Sequence, residues 1–193
     1  MKFSSTTVFL AFVAPILKVQ VTLAHGELKS PRSRNWYAHE EGIEGLQSGK
    51  PSAEFCPHCL NTNPDTTGVC GESTNHDYNA WLDTLGDPMP WISQETYTLG
   101  QTIVVESFLT AHHGGHMELK ACPVSDTNVL PPQSCFDNHL LEFVSDDLYS
   151  MPKDPNYPER GYYAGGQGAS TDRFVMKFKL PDNVYGDKVL LQW

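Results

Sequence analysis

The stretch Phe174-Val175-Met176-Lys177-Phe178-Lys179-Leu180 sets a large apolar side chain at every second position, with two lysines among the alternate ones. Successive side chains of a strand point to opposite faces, so this is the pattern of a strand buried on one side and wet on the other. Pro181-Asp182 and Tyr185-Gly186-Asp187 then supply turn residues before a second apolar run, Val189-Leu190-Leu191-Gln192-Trp193. Upstream, residues 102–108 (TIVVESF) and 116–120 (HMELK) read as strands on either side of a Gly114-Gly115 turn. Residues 26–100 carry six prolines, eight glycines and little periodicity. A stretch that long with no regular structure needs a function or covalent pins, and three cysteines lie inside it. A short helix over 75–85 is the one helical pattern. The expected fold is all-β, an immunoglobulin/fibronectin-like β-sandwich with a long disulfide-pinned loop excursion near the N-terminus.

Composition agrees with one such domain. The 193 residues are 39% hydrophobic and 11% aromatic, enough for a core and inconsistent with intrinsic disorder. Lys+Arg number 13 against 23 Asp+Glu, giving a formal charge of −10. Nucleic acid and anionic membrane surfaces both call for clustered Lys and Arg, so neither is the expected partner. No apolar run is long enough to span a bilayer.

The first two dozen residues read separately. Lys2 forms a short basic head, residues 8–17 are apolar throughout, and Thr22-Leu23-Ala24 offers small residues at −3 and −1. That is the layout of a secretory signal peptide. The expected organisation is a signal peptide over 1–24 and one domain over 25–193, secreted and extracellular. Losing Lys2 and Lys18 takes the charge from −10 to −12. Cleavage after Ala24 also has a chemical consequence. His25 becomes the first residue and offers two nitrogens, the freed α-amine and the imidazole Nδ1, which together chelate a metal. Nitrogen ligands in a planar set suit Cu(II), which heads the divalent affinity series. By position alone, His25 is more simply an accident of the cleavage point.

Export also bears on Cys56, Cys59, Cys70, Cys122 and Cys135, which in an oxidising compartment read as disulfides. Cys122 and Cys135 lie close in sequence around Pro123, Pro131 and Pro132, and are expected to pair. The pairing among Cys56, Cys59 and Cys70 stays open, and one of the three lacks a partner in this sequence. A zinc knuckle from Cys56-Pro-His-Cys59, Cys70 and His76 is the rival reading. The chain stops inside what reads as a core strand, so the domain is expected to be truncated at its C-terminus, with a sixth cysteine beyond Trp193.

Among the other histidines, His112 and His113 follow the strand at 102–108 and precede the glycine turn. Neighbours on a strand point apart, so one of the two can face a given ligand. A bare His-His pair is more simply a solvated loop feature. The order of motifs says more. A start reading His25-Gly26-Glu27-Leu28-Lys29-Ser30-Pro31-Arg32-Ser33-Arg34-Asn35, then Leu109-Thr110-Ala111-His112-His113, then Glu118-Leu119-Lys120-Ala121-Cys122-Pro123 with Cys135, then Leu190-Leu191-Gln192-Trp193, resembles the copper-dependent lytic polysaccharide monooxygenases. More closely, it is similar to the chitin-binding type-4 domain group and their animal-type relatives. The resemblance spans the chain from His25 to its end.

The resemblance implies one copper ion held by His25 and His113, which would be both the metal ligands and the catalytic residues, with Ala111 crowding the axial approach. It implies an oxidoreductase acting on insoluble polysaccharide, chitin favoured and cellulose possible, with oxidation at C1 or C4 and with an external electron donor and O2 or H2O2 as co-reactants. The two other classes in play are a non-catalytic chitin-binding module and an exported copper-binding protein. Two departures matter. His112 stands where relatives often carry Asn or Pro, and the axial Tyr or Phe of the family would lie beyond Trp193. His116 and Glu118 are near enough to the site to support it, though neither is assigned a catalytic part. Trp36, Tyr37, Tyr162 and Tyr163 are the aromatics considered for polysaccharide contact, and the sequence assigns the role to none.

Overall fold

The structure, a computed structural model, describes residues 26–33, 36–37, 40–41, 92–110, 112–125, 131–165 and 172–193. The expectations for the signal peptide, His25, Ala111, the helix over 75–85, Cys56, Cys59, Cys70 and the zinc alternative fall outside these residues.

The fold grows from the alternating strands. β7 (Asp172–Lys179) pairs antiparallel with β2 (Thr102–Leu109) along its whole length, and Phe178, Met176 and Phe174 sit opposite Ile103, Val105 and Ser107. These six residues are at most 1% exposed and form one inner face. β1 (Gly26–Ser30) adds to the other side of β2, with Gly26 opposite Leu109 and a bulge between Leu28 and Ser30. β5 (Glu142–Asp146) closes the far side of β7, so the sheet order is β1-β2-β7-β5. Phe143 of β5 meets Phe178 edge-on at 5.6 Å, the geometry that aromatic quadrupoles favour.

The opposite layer is made of short pieces. β3 (His116–Met117) pairs with β6 (Gly161–Tyr162), and β4 (Lys120–Pro123) pairs with β8 (Val189–Gln192). Met117, Leu119, Ala121, Leu141, Tyr163 and Val184 from this layer join the inner face of the four-stranded sheet in a single hydrophobic cluster. Two layers over one core is a β-sandwich. Burying each large side chain is worth roughly 1.5–3 kcal/mol, so the eleven largest fully buried side chains, His112 among them, carry much of the stability.

Three expectations change. The run at 116–120 is two strands, because the chain switches partners at Glu118 and Leu119: the Leu119 carbonyl accepts from Leu141 N–H (2.8 Å), outside either ribbon. No hairpin joins it to β2, whose two edges are already taken by β1 and β7. The terminal run is a half-exposed ribbon strand and not a core strand, with Gln192 as its most buried member. Between the paired cysteines the proline stretch starts a short helix, α1 (Gln133–Asp137), with Pro132 at its N-cap. The Cys122–Cys135 disulfide is present and ties β4 to α1.

Candidate metal centre

β1 and β2 deliver two chain segments to one end of the sandwich. Gly26, the first residue described, lies opposite Leu109, the last residue of β2. The chain leaves β2 there and runs through His112 and His113 into Gly114 and Gly115, both at positive φ (81° and 98°). Such backbone is open to glycine at little strain.

The two histidines are sorted by their surroundings. His112 is 1% exposed. Its ring stands edge-on to Phe174 (5.4 Å) and to Tyr163 (6.0 Å). Both its nitrogens are engaged: Nε2 lies 2.8 Å from the Ala164 carbonyl oxygen, and Nδ1 accepts from Gly114 N–H at 3.2 Å. His113, half-buried, is the reverse case. Its Nε2 is buried and has no hydrogen-bond partner among the described residues. A buried polar nitrogen left bare costs about 1–3 kcal/mol unless something else meets it. Among the described residues, no three His, Cys, Asp or Glu side chains converge on one point.

Around this end stand aromatic groups whose contacts the sequence did not foretell. Tyr163 is buried, and burial pushes its phenol up to about 12 against the hydrogen bond from Trp193, so it is an un-ionised hydroxyl. Trp193 Nε1–H donates to Tyr163 Oη at 3.2 Å. The same indole bounds Gly26: a Cβ on Gly26 would fall 2.9 Å from the ring. Buried as it is, Tyr163 is removed from the candidates for polysaccharide contact. Trp36 is half-buried with Lys29 Nζ 4.3 Å above its ring, and the same ammonium sits 4.1 Å from the Phe108 ring. No signal in the sequence tied Tyr163 to Trp193, which lie 30 residues apart.

His116 and Glu118 form a surface group of their own. His116 Nε2 lies 3.0 Å from Glu118 Oε1, which also accepts from Arg160 Nε at 2.9 Å. Burial works to raise the Glu118 carboxyl, but the hydrogen bonds from Arg160 and His116 outweigh it and hold the group below its ordinary value. Tyr162 Oη donates to Asp154 at 2.9 Å, and its ring lies against His116 at 5.7 Å. Among the described residues no helix is long and apolar enough to cross a membrane.

Comparison with known proteins bears on the same residues. A family model described as lytic polysaccharide mono-oxygenase, cellulose-degrading, matches residues 25–193. A solved structure, the lytic polysaccharide monooxygenase AA15 from Thermobia domestica in the Cu(I) state, aligns with a TM-score of 0.49 at 24% identity, covering 86% of this chain and 80% of that one. No curated protein matches.

Proposed function

Since this chain belongs to the lytic polysaccharide mono-oxygenase family, we propose that it is a secreted enzyme holding one copper ion between His25 and His113, and that it oxidises crystalline polysaccharide at C1 or C4 of the glycosidic link. Membership of the family makes it a polysaccharide-degrading monooxygenase, and copper as its metal is part of our reading. The export, the ion count, the ligands and the substrate are our reading. Chitin is the first substrate in that reading, from the likeness of the motifs, and cellulose, which the family description names, is the second.

The observation that carries the ligand assignment is the bare, buried Nε2 of His113 beside a His112 whose two nitrogens are spoken for. An unprotonated imidazole nitrogen is the commonest metal ligand in proteins. In this reading His113 contributes Nε2, while His25 contributes its α-amine and Nδ1. Gly26, fixed opposite Leu109, brings the chain next to His25 up to the end of β2 that leads to His113. Bound copper would supply a redox centre that activates O2 or peroxide with electrons from an external donor. The protein's own part is to set the two segments that lead to these histidines, Gly26 of β1 and Leu109 of β2, opposite each other in a hydrogen-bonded ladder that resists relaxation. Phe174 and Tyr163 pack against the buried ring of His112, the residue next to His113. Ala111 in this reading narrows the approach to the metal.

The test uses copper-loaded protein starting at His25, a reductant, and chitin or cellulose, with soluble products read by mass spectrometry. Oligosaccharides carrying oxidised ends, absent without copper or reductant, are the expected result. Binding to chitin without oxidised products would make the chain a non-catalytic chitin-binding module. Copper binding with neither would make it a copper-binding protein of another use.

A further inference from the structure

We propose that His112 is the positioning residue of the metal centre: its ring, caught between Gly114 and Ala164, fixes the backbone of His113 and so the direction of the imidazole that meets the metal. The inference rests on the reading of His113 as a ligand.

The partners of His112 settle its own state. A carbonyl oxygen can only accept, so Nε2 must donate its hydrogen to Ala164 O. An amide N–H can only donate, so Nδ1 must present a lone pair to Gly114. His112 is therefore the tautomer with hydrogen on Nε2, with its one ring lone pair taken. Nothing remains on it for a metal, although it is the residue next to the one that has a bare nitrogen.

The two bonds act on His113 from both sides. The contact from Gly114 N–H back to the His112 side chain closes a small ring that contains both peptide units flanking His113, as an Asx-turn does for asparagine and aspartate. This restraint falls where the chain is otherwise most permissive. Gly114 and Gly115 follow directly at φ 81° and 98°, with nothing within 4 Å of where either Cβ would be. Two glycines in open space bring no side-chain restraint C-terminal to His113. The restraint comes from His112, and His112 is itself anchored deep. Its ring abuts Phe174 of β7, which is fully buried. Nε2 ties it to Ala164, and Tyr163 N–H donates to Gly115 O at 3.0 Å, a second stitch between the same two segments. Gly165 follows at φ 92°, and a Cβ there would come to 3.4 Å from His112 Nε2, so the 163–165 segment is shaped around the ring. The placement of His113 is thus referred to the centre of the four-stranded sheet through the His112 side chain, with the backbone stitch at Gly115 beside it.

Three variants of the protein starting at His25 test this: His113→Ala, His112→Phe and His112→Asn. Each is read by Cu(II) affinity in calorimetry, by the copper hyperfine pattern in electron paramagnetic resonance, and by Tm without metal. His113→Ala should lose tight copper binding. His112→Phe keeps the ring volume against Phe174 and Tyr163 but lacks both hydrogen bonds, and should bind Cu(II) about 10–100-fold more weakly with an altered hyperfine pattern. His112→Asn restores an acceptor for Gly114 N–H without reaching Ala164. It should return the hyperfine pattern and affinity toward wild type while its Tm stays as low as that of the Phe variant. Should the Phe variant not fold, His112→Ala, which lets water reach both backbone groups, takes its place in the comparison. Wild-type spectra and affinity in all His112 variants would overturn the proposal, and so would losses in Phe and Asn that simply follow their Tm. Wild-type affinity in His113→Ala would instead overturn the ligand reading beneath it.

Discussion

Gly26 has space for hydrogen and nothing more. A Cβ there would lie 2.8 Å from Leu109 Cδ2, 2.9 Å from the Trp193 ring and 2.9 Å from the Phe108 carbonyl oxygen. The two side chains can give way, but the carbonyl belongs to the strand that holds β1 in place. Gly26→Ala should therefore lower stability by about 1–3 kcal/mol, the usual range for overpacking. It should also weaken copper binding in protein starting at His25, since the displaced residue is the one joined to that histidine. Thermal unfolding with and without Cu(II) measures both, and an unchanged metal-induced rise in Tm would separate Gly26 from the site. Tyr163 offers a milder change at the same end. Its hydroxyl accepts from the Trp193 indole inside the protein, so Tyr163→Phe should cost about 0.5–1.5 kcal/mol, the net worth of one hydrogen bond. Denaturant unfolding of the variant checks it.

The short elements of the second layer depend on cross-links more than on length. β4 and β8 pair over four residues each, too few to be stable alone. Cys122 and Cys135 close a loop of sequence separation 13 between β4 and α1, and the Gln133 and Gln192 amides exchange two hydrogen bonds of 2.9 Å between α1 and β8. Replacing both cysteines with Ala should lower stability by roughly 2–4 kcal/mol, with amide exchange rising first in β4 and β8. Uniform loosening of all strands would mean that the ribbon is held by the core alone. The elements also show what the sequence carried. β7 and β2 were legible because period-two burial is written in Phe174, Met176 and Phe178 and in Ile103 and Val105. The break between β3 and β4 was not legible. Met117 and Leu119 alternate as in one strand, and the switch is dictated by partners at Gly161 and Leu141 that lie far along the chain. Likewise the alternation rule says that His112 and His113 point apart, but Phe174, Tyr163 and Ala164 determine which of them turns inward.

At the scale of the whole molecule, the outside of the sandwich is laced by ion pairs that join neighbouring elements. Arg173 of β7 holds Glu106 of β2 at 2.7 Å, Lys177 of β7 reaches Asp147 just past β5, Lys153 reaches Glu142 at the start of β5, and Lys120 of β4 reaches Asp137 of α1 at 2.6 Å. In each case the hydrogen bond from the cation holds the carboxyl below its ordinary value of 4.5 for Glu or 3.8 for Asp. Asp154 is lowered too, first by the Asn156 backbone N–H and then by Tyr162. A carboxyl whose pKa is depressed by folding contributes stability that is fully present above its unfolded value and is lost as pH falls through its folded one. All five act in the same direction. Each exposed pair is worth little by itself, yet their losses fall in the same acid window and sum. Tm should therefore be nearly flat from about pH 8 to about pH 5, then fall steeply below the ordinary carboxylate values of 3.8–4.5. Because exposed pairs are screened, about 0.5 M salt should shrink the acid drop. Calorimetry across pH at two salt concentrations checks it. A drop of the same size in high salt would place the acid sensitivity in buried groups. Replacing Glu106 and Asp147 by the uncharged Gln and Asn should flatten the low-salt curve, because both pairs grip β7, the strand that carries Phe174 against the His112 ring.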